Sequence, residues 1–211
     1  MDLFNKFDPK HDLLPQDGQV YYYHQIVDNK TANHYYWSLL KQIQWKPDTA
    51  IIFGKKIQTK REVAWYGEKP FKYTYSKTTK TALIWTPLLI ELKTLVESFT
   101  KEHYNSCLLN LYHNGQQTMA WHSDGEKDLK ENGSIASLSF GAVRKFSFKH
   151  KELKIKTSII LEHGSLLEMK GVTQKYWLHR LPPTTKVKTP RINLTFRQIE
   201  PSYRLDAHPN F

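Results

Sequence analysis

The sequence predicts one α+β domain that is mainly β, a sandwich or jelly roll preceded by helices. Three observations point there. Beyond about residue 105 the chain breaks into short β-rich runs. Asn114-Gly115, Asn132-Gly133 and His163-Gly164 punctuate those runs with turn signals. Helical spacing appears before residue 105 instead, in two separate stretches. Many short strands without long helices between them pack as facing sheets.

The elements follow in order. "DGQVYYYHQIVD" reads as a first strand. Tyr36, Leu39, Leu40 and Ile43 recur at i, i+3, i+4 and i+7 and mark an amphipathic helix. Residues 50–80 are basic, polar and aromatic, with Trp65, Tyr66, Tyr73 and Tyr75, and read as short strands and loops forming a substrate-facing lid. Thr86-Pro87 is a helix cap followed by a first-turn proline, and Leu88, Leu92, Leu95 and Phe99 continue that helix. "CLLNLY", "SIASLSF", "VRKFSFK", "SIILE", "SLLEM" and "RINLTFR" then supply a strand-rich core over about 105–199, with a polar tail at 201–211. The whole of 1–211 is expected to be a single domain.

Composition narrows the function classes. No run approaches the roughly 18 apolar residues of a membrane span, and "MDLFNKFDPK" lacks the pattern of a secretory signal. A lone cysteine, Cys107, permits no internal disulfide. A reducing compartment is therefore expected, the cytoplasm or a eukaryotic nucleus. Lys and Arg number 31 against 20 Asp and Glu, a formal charge of +11. Basic residues gather at Lys55-Lys56 with Lys60-Arg61, from Arg144 to Lys156, and from Lys170 to Lys188. Such clusters are either a solvated surface or a footprint for a polyanion.

The chemistry resides in two motifs. His122-Ser123-Asp124 places an imidazole and a carboxylate two residues apart, on one face of an extended segment. His179, in "KYWLHR", is a third candidate ligand. Two histidines and one carboxylate suit Fe(II) and leave coordination positions open. Trp121 and Trp177 flank the ligands and are expected to shape and dry the site. In "RINLTFR", Arg191, Asn193, Thr195 and Arg197 share one face, and Ile192, Leu194 and Phe196 share the other. The first face lines a pocket for a dicarboxylate; an anionic ligand would offset the cost of burying guanidinium groups. An alternative for that strand is an edge position with a solvated outer face.

These residues carry a resemblance. From about Tyr21 to Ile199 the chain resembles the AlkB family of Fe(II)/2-oxoglutarate dioxygenases, in "LLNLYHNG", "WHSDGE", "IASLSFGAVRKFSFKHK", "LEHGSLLEM", "WLHRLP" and "PRINLTFRQI". It is most similar to the branch that repairs duplex DNA, above all across Ile135 to Lys151. The resemblance implies a double-stranded β-helix (jelly roll). It implies Fe(II) on His122, Asp124 and His179, and 2-oxoglutarate bound by Asn110, Tyr112, Arg191, Asn193, Thr195 and Arg197, with O2 as oxidant. Arg191, Tyr112 and Asn193 are expected to meet the distal carboxylate, with Arg197 and Asn110 nearer the chelating end. The implied activity is oxidative demethylation of 1-methyladenine and 3-methylcytosine in DNA, releasing formaldehyde, succinate and CO2. RNA demethylation, another 2-oxoglutarate oxygenation and a non-catalytic nucleic-acid-binding module are the alternatives.

Substrate contacts are expected from the lid and the metal loop. Glu126 would complement a cationic base, or it is a plain loop residue. Tyr66 first and Trp65 second would stack an extruded base, or they are core. Phe53, beside Gly54 and the lysines, is either a core residue or a wedge that enters the base stack. Lys55, Lys56 and Arg61 are expected on the nucleic-acid backbone, and the protein is expected to act as a monomer.

Overall fold

The computed structural model describes residues 11–52, 55–75 and 78–200, with the side chains of residues 49–52, 55–57, 73–75 and 78–79 left out. Phe53 and the 201–211 tail lie outside the described residues, as do the side chains of Lys55 and Lys56.

Strand β1 (Gln19–Gln25) leads into α1 (Asn29–Gln42), then β2 (Lys46–Ile52), β3 (Lys55–Gly67), β4 (Lys72–Tyr75), β5 (Thr78–Thr81) and β6 (Leu83–Ile84). Helix α2 (Pro87–Thr100) precedes β7 (Ser106–Tyr112), β8 (Met119–His122), β9 (Ile135–Gly141), β10 (Arg144–His150), β11 (Lys156–Leu161) and β12 (Ser165–Lys170). A short α3 (Thr173–Tyr176) runs into β13 (Trp177–Leu181), and β14 (Arg191–Arg197) follows. The helices begin where local chemistry says. Asp28 caps α1 by accepting from the Thr31 N–H at 2.9 Å. Thr86 caps α2 by accepting from the Leu89 N–H at 3.3 Å, with Pro87 in the first turn where its missing donor costs nothing. Lys101 ends α2 in the left-handed region, with φ 60°.

The strands form an eight-stranded sheet in the order β1-β12-β9-β14-β7-β3-β2, with β6 beside β3, and a four-stranded sheet in the order β11-β10-β13-β8. Strands β4 and β5 pair separately. One face of the large sheet carries α1 and α2. Leu39, Leu89, Leu92 and Val96 meet Leu109, Leu138, Leu194 and Phe196 there, all fully buried. The other face meets the small sheet through Val20, Phe148, Leu161, Leu167 and Trp177. Each such side chain contributes about 1.5–3 kcal/mol of burial. The result is the expected jelly roll, and the space between its sheets is where the polar residues of β7, β9 and β14 point.

The lid differs from its expected form. Residues 50–80 read as short strands and loops, yet β3 runs from Lys55 to Gly67 and its second half joins the large sheet beside β7. Glu62 to Gly67 pair in register with Leu111 to Ser106. The base of the lid is thus sheet, and alternation along β3 decides which lid side chains face the site.

Candidate active site

Strand pairing assembles the metal triad. In β13 and β8, His179 lies directly opposite His122, and their ring centroids are 4.3 Å apart. Asp124 follows two residues beyond His122. One ligand atom from each of His122, Asp124 and His179 lies within 4.8 Å of the others. The Ala120 carbonyl, 2.8 Å from His122 Nδ1, can only accept, so that nitrogen carries the proton. The lone pair of Nε2 is left for a metal, 3.9 Å from Asp124 Oδ1. Burial pushes the His179 imidazole down to about 4, which keeps it neutral and able to ligate. Burial also raises the Asp124 carboxyl, but Arg197 and the two imidazoles outweigh it and hold the group below its ordinary value. Arg197 Nη2 donates to Asp124 Oδ1 at 2.8 Å.

The last strand presents the face its alternation predicts. Ile192, Leu194 and Phe196 are fully buried against the helices. Arg191, Asn193, Thr195 and Arg197 line a small cavity of about 50 Å³ with Asn110, Tyr112 and all three metal-ligand candidates. Arg191 donates to Ser139 Oγ at 2.9 Å and Asn193 Oδ1 at 2.8 Å, and its guanidinium lies 5.7 Å from the Tyr112 ring centre. No carboxylate pairs with it among the described residues, and burial pulls it down to about 10. Its Nε and the Asn110 Oδ1 are buried without partners. A buried cation with an unused donor, a vacant amide acceptor and two imidazoles beside a carboxylate fit a dicarboxylate and a divalent iron. Arg197 stands at the metal end and Arg191 at the other end of the strand.

A second cavity, about 580 Å³, opens beside the first and shares Leu108 and Arg197 with it. Trp65, Phe71, Glu126, Leu129 and Ile199 line it, with Lys69, Lys72 and Lys80 at its edge. Glu126 reaches Arg197 Nη1 at 3.5 Å through one oxygen, while the other is buried without a partner. Glu126 thus lines the large cavity and reaches Arg197 from it.

Two expected contacts are corrected. Tyr66 cannot stack a base: it is 1% exposed in the helix-side core, and its hydroxyl accepts from the Gln44 N–H at 3.3 Å. Tyr66 pairs with Cys107, whereas Trp65 pairs with Leu108 on the opposite face. Trp65 therefore faces the large cavity, and its indole N–H donates to Ser106 Oγ at 2.7 Å. Arg61 is not free for a phosphate. It is ion-paired to Asp48, which Lys80 also approaches at 3.3 Å, and it contacts the Met119 sulfur at 3.3 Å. Within the basic run from Arg144 to Lys156, Arg144 is buried and its guanidinium donates to the carbonyls of Asn114, Gly115, Gln117 and Pro182. It clamps two loops beside the site instead of facing solvent. Sequence reasoning missed this role, and it missed Ser137, Ser139 and Gln174. No motif marks them, because each is identified by the strand or loop it pairs with.

Comparison with known proteins places this geometry. The profile of the 2OG-Fe(II) oxygenase superfamily matches residues 19–197. The chain is 41% identical over 189 residues to "Alpha-ketoglutarate-dependent dioxygenase alkB homolog 3" of Bos taurus, covering 85% of this chain and 65% of that protein. To the Homo sapiens protein of the same name it is 40% identical over 197 residues, covering 89% and 68%. To "DNA oxidative demethylase ALKBH2" of Homo sapiens it is 38% identical over 156 residues, covering 70% and 60%. The chain thus spans about two thirds of the length of these relatives. The solved structure of OsALKBH1 shares the fold, with a TM-score of 0.58 over 85% of this chain and 97% of that one, at 13% identity.

Proposed function

This chain belongs to the AlkB family within the 2OG-Fe(II) oxygenase superfamily, and on that footing we propose that it is an oxidative demethylase of N-alkylated bases in DNA. The observation that carries the reading is the pair of adjoining cavities. The metal triad and the unpaired Arg191 line the small one, Trp65 and Glu126 line the large one, and Arg197 is shared. A cosubstrate and a flat substrate can thus approach one metal from two directions.

His122, Asp124 and His179 would hold Fe(II). Arg191, Tyr112 and Asn193 would take the distal carboxylate of 2-oxoglutarate, with Asn110 and Arg197 toward the metal. When bound, iron and cosubstrate supply an oxidation by O2 that turns 2-oxoglutarate into succinate and CO2 and releases the hydroxylated alkyl carbon as formaldehyde. The chain's own residues bind and orient. Trp65 offers an aromatic face to an extruded base. The unpartnered oxygen of Glu126 accepts from the amino group of 1-methyladenine or 3-methylcytosine and offsets their positive charge. The walls formed by Leu108, Leu129 and Phe71 keep water from the reacting carbon. Arg197 keeps Asp124 ionised.

DNA is favoured as substrate because relatives 38% identical over most of this chain bear the name DNA oxidative demethylase. The +11 charge agrees with a polyanion. Action as a monomer is part of this proposal. Reduced iron and a nucleic-acid substrate would suit the cytoplasm or nucleus. The test is formaldehyde release from oligonucleotides carrying 1-methyladenine or 3-methylcytosine, with Fe(II) and 2-oxoglutarate added anaerobically before air. Stoichiometric formaldehyde and succinate are expected. Succinate without formaldehyde from DNA, but with turnover on methylated RNA or a small molecule, would move the chain to a different substrate class.

A further inference from the structure

An amide side chain holds the backbone of the loop at Asp124 itself. Between Ser123 and Asp128, no backbone N–H donates to another backbone group among the described residues. The Asp124 N–H donates instead to Gln174 Oε1, at 2.9 Å. The other end of that amide, Nε2, reaches the Met169 sulfur at 3.6 Å. These two neighbours fix which way the amide faces. A backbone N–H needs an oxygen opposite it, and a thioether can only accept. The main-chain carbonyl of Gln174 separately accepts from Lys151 Nζ at 2.9 Å.

Gln174 lies in α3, which passes directly into β13 at Trp177. His179 therefore sits five residues from Gln174 on one continuous piece of backbone. From the opposite side, Arg197 grips the head of the Asp124 carboxylate through Oδ1.

We propose that Gln174 is a positioning residue for the metal: it pins the backbone of Asp124 to the segment that carries His179. The separation of these two ligands is then set by a single short unit instead of by the loop after His122. The physical need is clear. Arg197 competes with a metal for the carboxylate, and a loop whose next backbone anchor is four residues on, where Asp128 O accepts from the Glu200 N–H at 2.9 Å, would let Asp124 swing onto the guanidinium. Pinning the stem keeps the carboxylate beside the two imidazoles before any ion arrives. Groups that orient a ligand in this way change metal affinity by about 10–100-fold. The proposal rests on His122, Asp124 and His179 being metal ligands, so its test measures metal binding directly.

Metal-free protein is titrated with Mn(II), followed by electron paramagnetic resonance of the free ion, and its thermal melt is recorded. Gln174→Met keeps the length and volume of the side chain and removes the acceptor. Gln174→Glu keeps an acceptor facing the Asp124 N–H. The Met variant is expected to bind Mn(II) about 10–100-fold more weakly than the parent. The Glu variant is expected to bind like the parent, and all three metal-free proteins to melt together. A Met variant with parental affinity would overturn the proposal. So would a Glu variant that loses as much affinity as the Met variant, since that would make Gln174 a packing residue. A parent that binds no Mn(II) would overturn the metal reading itself, and the role of Gln174 with it.

Discussion

Strands β14 and β3 flank β7 on its two sides, and they present different kinds of residue to the site. On β14 the alternation is clean. Four polar residues face the small cavity, and Ile192, Leu194 and Phe196 face the helices. On β3 the two faces are mixed. Pairing with β7 puts Val63 and Trp65 on the site face, and Glu62, Ala64 and Tyr66 on the other. A strand whose faces differ in polarity declares its orientation in sequence, because a one-residue slip would bury four polar groups in the core. A strand with an aromatic on each face does not, and its partner decides.

The strongest test of the β14 side removes a ligand. Asp124→Ala or His179→Ala is expected to abolish succinate and formaldehyde production while the β core stays folded. Asp124→Ala also leaves Arg197 buried with Glu126 as its remaining ion-pair partner among the described residues, so its melting temperature should fall further than that of His179→Ala. Near-parental turnover in either variant would remove that residue from the metal site.

Next in size is the cosubstrate end. Arg191→Lys loses the guanidinium fork that meets Ser139 and Asn193. The loss of a charge-assisted pair, about 1.5–3 kcal/mol, corresponds to a rise in the 2-oxoglutarate KM of roughly 10–150-fold. A titration of 2-oxoglutarate at saturating oligonucleotide reads it directly. An unchanged KM would place the acid pocket elsewhere.

The contrast between strands also explains what the sequence disclosed. The jelly roll, both helices, the cap of α2, the His122–Asp124 spacing and the alternation of β14 were legible. Each rests on a local pattern, either a period or a spacing of two. Gln174, Arg144, Ser137 and Ser139 were not legible, because their roles depend on which loop or strand comes to lie beside them. Arg61 was misjudged for the same reason. Its charge is visible in the sequence, but its partner Asp48 lies thirteen residues upstream across a hairpin. Phe53 falls outside the described residues, so its two alternatives stand as they did.

On the substrate side, Glu126→Gln tests the unpartnered oxygen above the large cavity. The amide keeps one acceptor and loses the charge. Activity on cationic 1-methyladenine should fall by about 1–3 kcal/mol in kcat/KM terms, and activity on a neutral alkylated base should fall less. Equal losses on both would reduce Glu126 to a brace for Arg197.

The smallest effect separates the two neighbouring aromatics of β3, and the pair must be read together. Trp65→Ala should weaken binding of a methylated single strand by about 1–3 kcal/mol, the scale of stacking one base on an aromatic ring. Tyr66→Phe removes one hydroxyl from the opposite face and leaves the ring in the core. The lost bond, from the Gln44 N–H at 3.3 Å, is long, and Gln44 is exposed, so water can replace the acceptor. Stability should fall by about 0.5 kcal/mol, the low end for a single hydrogen bond, with oligonucleotide affinity unchanged. If Tyr66→Phe weakened nucleic-acid binding and Trp65→Ala did not, β3 would have to pair with β7 one residue out of its present register, and the large cavity would lose its aromatic wall.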